Sequence, residues 1–399
     1  MLASRYRYRV DKNLKPVVIG SGAFSQVYEG VDVETGRLVA IKVFREGTSA
    51  KHMRSEFQRI VDCFIKVHGP LSQRSSSSSL EESSSPSFHS NETMNDILSG
   101  DLVVNLLDYS KNESGKPGAS RNDNYQYFVV LELGLYTLDD YIFTRGQANR
   151  PFSLAEIRSI FWDLTRMVAL LHRKSLAHMD IKPQNIMRFD DGRWKLIDMD
   201  GALDASTEVR VAESDCVFTP IYCAPELAAA ILNKSSTFRI SRLVDVWSLG
   251  MVMCDFLFLV PLLHATFHDI KGGEASFLDW LADTERVILL PDQVRTTCPD
   301  LHDLLQNRML VKNPNKRWSL PEILAHPFFN PVRRKLHAQK LDDLEIVKHP
   351  MKPVSQSIGL IGRSLSLHMA VEGVDFEDPK MIFVQRNKSK FGSAGCSIQ

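Results

Sequence analysis

Residues 178–185 read HMDIKPQN, and residues 197–201 read IDMDG. These stretches place Asp180 and Asp198 18 positions apart, with Asn185 five residues after the first aspartate. A carboxylate can accept a proton from a hydroxyl group, and carboxylate and amide oxygens are suitable ligands for a hard divalent cation. The two stretches therefore predict a proton acceptor beside a bound cation.

A glycine-containing stretch and a lysine come earlier in the chain. Residues 20–27 read GSGAFSQV between two strand patterns, where glycines let backbone N–H groups approach phosphate oxygens. Residues 39–42 read VAIK, with Lys42 among apolar side chains, and Glu56 on the following helical pattern is a candidate partner. Taken singly, the glycines also fit an ordinary hairpin turn, and the lysine fits a solvent-facing charge on an edge strand.

Three further stretches follow in a fixed order. Residues 219–226 read TPIYCAPE, residues 245–250 read DVWSLG, and residues 313–317 read NPNKR. Over about residues 14–329 the series resembles the eukaryotic protein-kinase superfamily, in its serine/threonine branch. The resemblance implies an α+β, bilobal protein-kinase fold. It has a small β-rich N-lobe with one main helix and a large, mostly α-helical C-lobe.

The resemblance also implies roles for the polar residues around the two aspartates. Asp180 would accept the proton of the substrate hydroxyl, and Lys182 would contact the γ-phosphate of ATP. Asn185 and Asp198 would hold Mg²⁺.

Around the nucleotide, Lys42 would contact the α- and β-phosphates, held by an ion pair with Glu56. The other positions expected near ATP are the loop residues Ile19, Gly20, Ser21, Gly22, Ala23, Phe24 and Ser25, the adenine-contacting Val27, Ala40 and Met187, and the hinge residues Leu131, Glu132 and Leu133. For the apolar members of this set, core packing explains the same residue types.

Some matched residues are expected to be structural. Asp245 would bond the backbone of the catalytic loop. A buried pair of Glu226 and Arg317 would anchor the end of the activation segment, the stretch that ends at residues 219–226. Removing one partner of a buried pair leaves an uncompensated charge. We therefore expect instability, rather than a selective loss of chemistry, when these residues are replaced.

The sequence departs from the family pattern in three places, of which Ser25 in place of the last glycine of the loop is the mildest. Met179 replaces an arginine that usually meets a phosphate on the activation segment, so we expect activity that does not depend on phosphorylation there. Asp198, Met199 and Asp200 replace the usual Asp-Phe-Gly. Methionine is a flexible apolar substitute, but glycine permits backbone angles that aspartate resists, and Asp200 adds a negative charge near the metal.

These observations favour an active enzyme. Each polar group needed for phosphoryl transfer has a candidate, so the predicted function is transfer of the ATP γ-phosphoryl group to Ser or Thr hydroxyls of a protein substrate. The alternative is a catalytically weak pseudokinase that serves as a nucleotide-binding signalling scaffold, an interpretation that Asp200 supports. A kinase of small molecules is disfavoured, because residues 219–226 are typical of a peptide-docking platform.

Composition divides the chain of 399 residues. Strand patterns and one helical pattern precede residue 135, at residues 17–19, 25–29, 38–44, 50–66 (the helix), 103–107 and 127–131. We interpret residues 1–13 as an N-terminal flank, 14–132 as the N-lobe, 133–329 as the C-lobe and 330–399 as a polar, flexible tail with a candidate helix at 332–347. Serine dominates residues 72–90, and few apolar side chains offset the ordering entropy there, which predicts a disordered insertion over about 69–100.

Charge and cysteine content restrict the partners and the compartment. The 48 basic and 48 acidic residues balance, which argues against nucleic acid. The longest apolar run, Leu249–Phe267, is interrupted by Asp255, Pro261 and His264 and indicates a buried helix rather than a membrane span. Six cysteines without CxxC or zinc-like spacing, and no signal-peptide pattern, indicate the cytoplasm.

The final residues suggest a second location. Cys396-Ser397-Ile398-Gln399 is compatible with C-a-a-X prenylation, in which a final Gln favours farnesyl, although Ser397 is not aliphatic and an unmodified thiol is the alternative. Residues 380–399 contain four basic and no acidic residues, a charge that could assist a weak lipid anchor on an anionic membrane. Peripheral membrane contact is thus expected if Cys396 is prenylated, and the oligomeric state is left open.

Overall fold

The first lobe is built from an antiparallel sheet and one long helix. The computed structural model describes residues 2, 5–22, 25–45, 50–71, 98, 101–210, 217–233 and 237–336. Within these residues the lobe consists of β1 (Tyr6–Tyr8), β2 (Val18–Ser21), β3 (Ser25–Asp32), β4 (Leu38–Phe44), α1 (Ala50–His68), β5 (Leu106–Tyr109) and β6 (Phe128–Glu132). The strands lie in the order β1-β3-β4-β6-β5, and β2 also pairs with β3. The predicted elements are all present, with ends displaced by up to three residues.

Strand β4 is the central strand of this sheet, and both of its faces are covered. Val39, Ile41 and Val43 point to one face, where they pack in a core with Tyr6 and Phe128. The intervening residues point to the other face, since side chains alternate along a strand. There Phe44 contacts Phe57 of α1, with ring centroids 5.7 Å apart. Lys42 therefore emerges on the side of the sheet that faces the helix.

The N-terminal residues belong to this lobe, contrary to the expected flank of residues 1–13. Strand β1 pairs antiparallel with β3, and Tyr6 is buried. Arg5 donates from Nε and Nη2 to the two carboxylate oxygens of Asp32, at 2.9 and 2.6 Å. The alternation of Tyr and Arg over residues 5–9 has the period of two that is typical of a strand. A domain boundary at residue 14 is thus too late, because the sheet begins at residue 6.

The second lobe is mostly helical. Its elements are β7 (Tyr136–Thr137), α2 (Leu138–Gln147), α3 (Leu154–Arg173), β8 (Leu176–Ala177), β9 (Ile186–Arg188), β10 (Trp194–Leu196), β11 (Leu203–Asp204), β12 (Glu208–Arg210), α4 (Pro225–Leu232), β13 (Thr237–Arg239), α5 (Leu243–Phe258), α6 (His264–Asp269), α7 (Gly273–Ala282), α8 (Asp292–Thr297), α9 (Pro299–Asp303) and α10 (Leu320–Leu324). The α+β bilobal fold implied by the sequence is therefore the observed one.

Helix α3 begins with a capping box formed by Ser153 and Glu156. The Ser153 side chain accepts from the backbone N–H of Glu156, and the Glu156 carboxylate accepts from the backbone N–H of Ser153. This reciprocal pair satisfies two backbone donors that have no partner inside the helix. The helix then leads directly into β8 and the loop that carries Asp180.

Helix α5 accounts for the first half of the long apolar run. Residues 244–256 are all buried, and the helix ends at Phe258, followed by Leu259, which has a left-handed backbone. After Pro261 the chain forms the short helix α6 rather than continuing. Among the described residues, no helix has the length and apolar character needed to cross a membrane.

Several predicted features lie outside the described residues. They are Ala23 and Phe24 of the glycine-containing loop, nearly all of the serine-rich insertion, and the chain after residue 336, including Cys396. Of the candidate tail helix at 332–347, residues 332–336 are described and are helical.

Candidate active site

Asp180 lies between β8 and β9 at the centre of a tight polar cluster. Its Oδ1 accepts a hydrogen bond from Thr219 Oγ1 at 2.7 Å, and its Oδ2 lies 2.6 Å from Lys182 Nζ. Asn185 donates from Nδ2 to the Asp180 carbonyl oxygen at 2.9 Å and to Oδ2 at 3.2 Å. Lys182 also donates to Thr219 Oγ1 at 2.8 Å. The structure thus brings together the three residues expected in the catalytic loop and adds Thr219.

Buried Asp245, at the start of α5, holds this loop in place. Its Oδ1 accepts from the backbone N–H of Met179 at 2.9 Å, and its Oδ2 accepts from that of His178 at 2.8 Å. His172 Nε2 lies 2.9 Å from the same Oδ2. Met179 has a φ of 70°, a left-handed conformation that a non-glycine residue adopts only when its surroundings impose it. The structural role expected of Asp245 is therefore confirmed.

Lys42 and Asp198 meet across the two lobes. Lys42 Nζ donates to Asp198 Oδ1 at 2.7 Å and also forms a short ion pair with Asp200 Oδ1. Burial alone would lower the pKa of Lys42, but the charges of the two carboxylates outweigh burial and raise it above its ordinary value. Burial would likewise raise the pKa of Asp198, yet Lys42 holds it well below its usual range. Burial and the neighbouring Asp198 raise the pKa of Asp200.

Lys42 and Glu56, both within the described part of the chain, do not form the expected ion pair. That prediction is wrong for this structure. Glu56 instead pairs with Arg59, three residues along α1, where two side chains share one face of a helix. Arg59 Nη1 in turn donates to the carbonyl oxygen of Ala202 at 2.5 Å, and Nη2 donates to that of Asp200. The physical reason is competition: Arg59 occupies the glutamate, while Asp200 supplies Lys42 with a nearer carboxylate.

Asp200 does not need the backbone freedom of glycine. The left-handed residue in this segment is Asp198, with a φ of 60°, and Asp200 is not among the described residues with a positive φ. The position that excludes a side chain is Gly201, where a Cβ would lie 2.8 Å from the carbonyl oxygen of His178. Met199 is buried, as expected of an apolar substitute. The steric constraint thus lies at Gly201, one residue later than the position expected from the sequence.

The strand register puts the expected adenine-contacting residues on one face of the sheet. Val27 pairs with Lys42, and Ala40 pairs with Leu131. Directly paired residues of antiparallel strands share a face, as do residues two apart along one strand. Gly20 pairs with Val27 and so belongs to the same face. This face and the Asp180 cluster form the two sides of the candidate site.

The remaining expected residues lie around this face. Ile19 and Ser21 are in β2, Ser25 begins β3, and the backbone N–H of Gly22 donates to the carbonyl of Ser25 at 2.9 Å. Met187 lies in β9, close to Gly134 just beyond the hinge residue Leu133.

The side chain of Glu132 is engaged outside the nucleotide face. Lys195 Nζ donates to both Glu132 carboxylate oxygens at 2.9 Å, and the backbone N–H of Asn105 donates to Oε1 at 2.8 Å. The carboxylate of Glu132 is thus occupied by Lys195 and Asn105, and its backbone N–H donates to the carbonyl oxygen of Asn105 at 3.2 Å. Lys195 is not among the residues predicted for the site, although a lysine between Trp194 and Leu196 in an apolar strand pattern is a signal in the sequence.

The donors at this site fit a cation that is shared with a phosphate ligand. Among the described residues there is no group of three or more His, Cys, Asp or Glu side chains that could hold a metal. Asp198 has a lowered pKa, and Asn185 donates through Nδ2, which leaves its Oδ1 as a ligand atom. Mg²⁺ commonly takes only one or two protein ligands when substrate phosphates supply others. The pair of Asn185 and Asp198 is compatible with such a site.

The family model described as "Protein kinase domain" matches residues 82–329, more than half of the chain. The chain therefore belongs to the protein kinase family.

Its relatives include serine/threonine kinases at low to modest identity. A Dictyostelium discoideum protein named "Probable cyclin-dependent kinase 10" is 26% identical over 331 residues, covering 78% of this chain and 77% of the relative. The Aurora kinase of Schizosaccharomyces pombe is 24% identical, covering 78% and 69%. Xenopus laevis serine/threonine-protein kinase ULK3 is 33% identical over 215 residues, covering 50% and 42%.

Proposed function

We propose that this protein kinase is catalytically active and transfers the γ-phosphoryl group of ATP to Ser or Thr hydroxyls of protein substrates. The observation that carries the proposal is the assembled cluster of Asp180, Lys182, Asn185 and Thr219, which faces Lys42 and Asp198 of the nucleotide side. In the proposed reaction Asp180 accepts the proton of the substrate hydroxyl through its fixed carboxylate. Mg²⁺ bound with ATP would supply charge neutralisation at the phosphates, held by Asn185 and Asp198.

The polar partners of Asp180 prepare it for this role. Thr219 and Lys182 bond different oxygens of the carboxylate, so its orientation is set before a substrate arrives. Lys182 carries a positive charge close to the place where the hydroxyl and phosphate must meet, where it would stabilise charge that develops during transfer. The contact between Lys182 and Thr219 also supports a Ser or Thr acceptor, because enzymes that act on tyrosine usually carry other residues at these two positions.

A phosphotransfer assay tests the proposal. Wild-type protein and an Asp180→Ala variant would be incubated with labelled ATP, Mg²⁺ and a mixed protein substrate, with Asp190→Ala as a control that removes an exposed carboxylate from the turn after β9. We expect labelling by the wild type and by the Asp190→Ala variant, and a loss of about 10²- to 10⁴-fold for Asp180→Ala. Equal labelling by wild type and Asp180→Ala would refute the proposal.

The alternative function is that of a nucleotide-binding scaffold. The observation that favours it is the double ion pair of Lys42 with Asp198 and Asp200, which engages both charges meant for ATP and Mg²⁺. A scaffold would bind ATP in a calorimetric titration and yet show no Asp180-dependent labelling.

Activity is proposed not to depend on phosphorylation of the activation segment. Met179 has an uncharged thioether side chain and is buried, so no cation at this position is available to a phosphate. The segment is held by backbone pairing instead, because β12 pairs antiparallel with β13 and Ser206 donates from its N–H to the carbonyl of Ile240 at 2.8 Å. Alanine at Ser206, Thr207 and Ser214 together should leave transfer within about two-fold of wild type. Loss of activity in a folded triple variant would contradict this.

Localisation remains a proposal from the sequence. We propose a cytoplasmic protein that makes peripheral membrane contact when Cys396 carries a prenyl group. Intact-mass measurement of protein made in eukaryotic cells, with Cys396→Ser as the control, would show a farnesyl mass shift in the wild type alone. A wild-type mass without the farnesyl shift would contradict the proposed lipid anchor.

A further inference from the structure

Lys42 has lost its expected helix partner, yet its charge is fully compensated. It is only 7% exposed, and both of its carboxylate partners come from the segment of residues 198–200. A buried ammonium without a partner would be strongly destabilising. The residue that provides the second carboxylate, Asp200, stands where most kinases have glycine.

The local backbone directs Asp200 toward Lys42. Asp198 is left-handed, and the backbone N–H of Asp200 donates to Asp198 Oδ1 at 3.3 Å. Met199, between the two aspartates, is 1% exposed. The two carboxylates therefore reach the same ammonium while the intervening side chain is buried. Glycine at position 200 would leave Lys42 with Asp198 alone.

Helix α1 remains connected to this segment by a different route. Glu56 fixes the guanidinium of Arg59, and Arg59 donates to the carbonyl oxygens of Asp200 and Ala202. The helix thus contacts the backbone of the residue whose side chain holds Lys42. A guanidinium can serve a carboxylate and two carbonyls together because it presents five donors in one plane.

We propose that Asp200 is the positioning residue of Lys42, and that Glu56 and Arg59 act on Lys42 only through the backbone of Asp200. The catalytic consequence rests on the proposed function. With Asp198 assigned to Mg²⁺, Asp200 is the carboxylate left to hold Lys42 beside the phosphates. The added negative charge is then a replacement for the helix glutamate, rather than a defect of the site.

The first test measures pairing without nucleotide, metal or activity. Unfolding midpoints in urea would be compared for Lys42→Met, Asp200→Asn, Glu56→Gln and Arg59→Leu, and for their double variants. Residues in contact give non-additive effects, whereas residues without a shared partner give additive ones. We expect strong non-additivity for Lys42 with Asp200 and for Glu56 with Arg59, and weaker non-additivity for Lys42 with Glu56, which are linked only through Arg59 and Asp200. A larger non-additivity for Lys42 with Glu56 than for Lys42 with Asp200 would overturn the proposal.

The second test measures the consequence for catalysis. Asp200→Asn is expected to lower kcat/KM for ATP by about 10- to 100-fold, and Glu56→Gln by less, because only Asp200 bonds Lys42 directly. Adenosine, which lacks phosphates, should bind Asp200→Asn within about two-fold of wild type, which separates positioning of Lys42 from damage to the pocket. Asp204→Asn is the matched control. Asp204 lies four residues after Asp200, and its exposed carboxylate pairs with Lys66 rather than with Lys42.

The two tests separate failure of this inference from failure of the proposed function. A greater loss in Glu56→Gln than in Asp200→Asn would overturn the assignment of Asp200. Absence of transfer by the wild type would refute the proposed function, while the unfolding cycles would still decide which residue holds Lys42.

Discussion

Arg317 donates two parallel hydrogen bonds to Glu226, from Nη1 to Oε1 at 2.7 Å and from Nη2 to Oε2 at 3.0 Å. The arginine side chain is 0% exposed, and its Nη1 also donates to the carbonyl oxygen of Leu243, the first residue of α5. One guanidinium thus ties the end of the activation segment to the helix that carries Asp245.

Replacing Arg317 is therefore expected to destabilise the fold. Arg317→Ala leaves Glu226 without its partner, and breaking a buried pair costs about 3–5 kcal/mol. Urea unfolding measures this change in the free energy of unfolding. Arg295→Ala is the control, since it breaks an exposed pair with Asp292 and should cost less than about 1 kcal/mol. A similar small cost for Arg317→Ala would show that the pair is not structural.

Thr219 is expected to matter through its hydroxyl group alone. Thr219→Val keeps the shape but removes the group that bonds both Asp180 and Lys182. We expect kcat to fall by about 10- to 100-fold, with little change in the melting temperature, and Thr219→Ser to retain most of the activity. Steady-state phosphotransfer kinetics of the three proteins check this. Equal losses in the Val and Ser variants would point to packing of the methyl group instead.

Gly201 is expected to tolerate no side chain. The Cβ of Gly201→Ala would lie 2.8 Å from the carbonyl oxygen of His178, so the catalytic loop must shift. Overpacking of this kind costs about 1–3 kcal/mol, and the shift should also lower kcat. Thermal unfolding and phosphotransfer assays measure both effects. Gly146→Ala is the control, because a Cβ at this position in α2 would lie 3.7 Å from the Leu259 Cβ, an ordinary contact distance. This variant should be as stable as wild type or more stable by up to about 1 kcal/mol.

Stability should depend on pH through Asp303. Burial would raise the pKa of this carboxyl, but hydrogen bonds from Asn307, His326 and Arg308 lower it to about 2. A carboxyl in an unfolded chain titrates near pH 3.9. The contribution of Asp303 is therefore complete above about pH 4 and is lost as the pH falls toward 2.

Urea unfolding at several pH values between 7 and 3 tests this dependence. Asp303→Asn should be less stable than wild type at pH 7, and the difference should shrink below about pH 4. Asp269→Asn, which removes an exposed carboxylate from the end of α6, should show no such convergence. A difference that stays constant down to pH 3 would exclude Asp303 as the titrating group.

Tyr6 is expected to support the sheet although it precedes the predicted domain. Its ring is 2% exposed in the core beside Ile41 and Phe128. Tyr6→Ala should destabilise the protein by about 3–5 kcal/mol, as truncation of a buried aromatic ring usually does. Tyr125→Ala, at an exposed ring, should change unfolding by less than about 0.5 kcal/mol. Equal midpoints for the two variants would restore the interpretation of residues 1–13 as a flank outside the domain.

Local signals in the sequence predicted local structure well. Ser153 and Glu156 lie three residues apart, and this spacing alone identifies the start of α3. The assembly of Lys42 with Asp198, 156 residues apart, is visible only through the resemblance to the kinase family. The choice of partner for Lys42 was not predictable, because Glu56 and Asp200 compete for one cation and Arg59 decides the outcome. Strand β1 was missed although Tyr and Arg alternate over residues 5–9, because an alternation of only five residues is too short to stand out.

The ion pair of Glu132 and Lys195 has a mechanical consequence. Glu132 is the last residue of β6, where the chain leaves the first lobe, and Lys195 lies in β10 of the second. Lys195 is 2% exposed and also lies 3.4 Å from Asp191, so it is held firmly on its own side. The ion pair therefore anchors the chain where it passes between the lobes. A rocking motion of one lobe against the other must either keep this ion pair intact or break it.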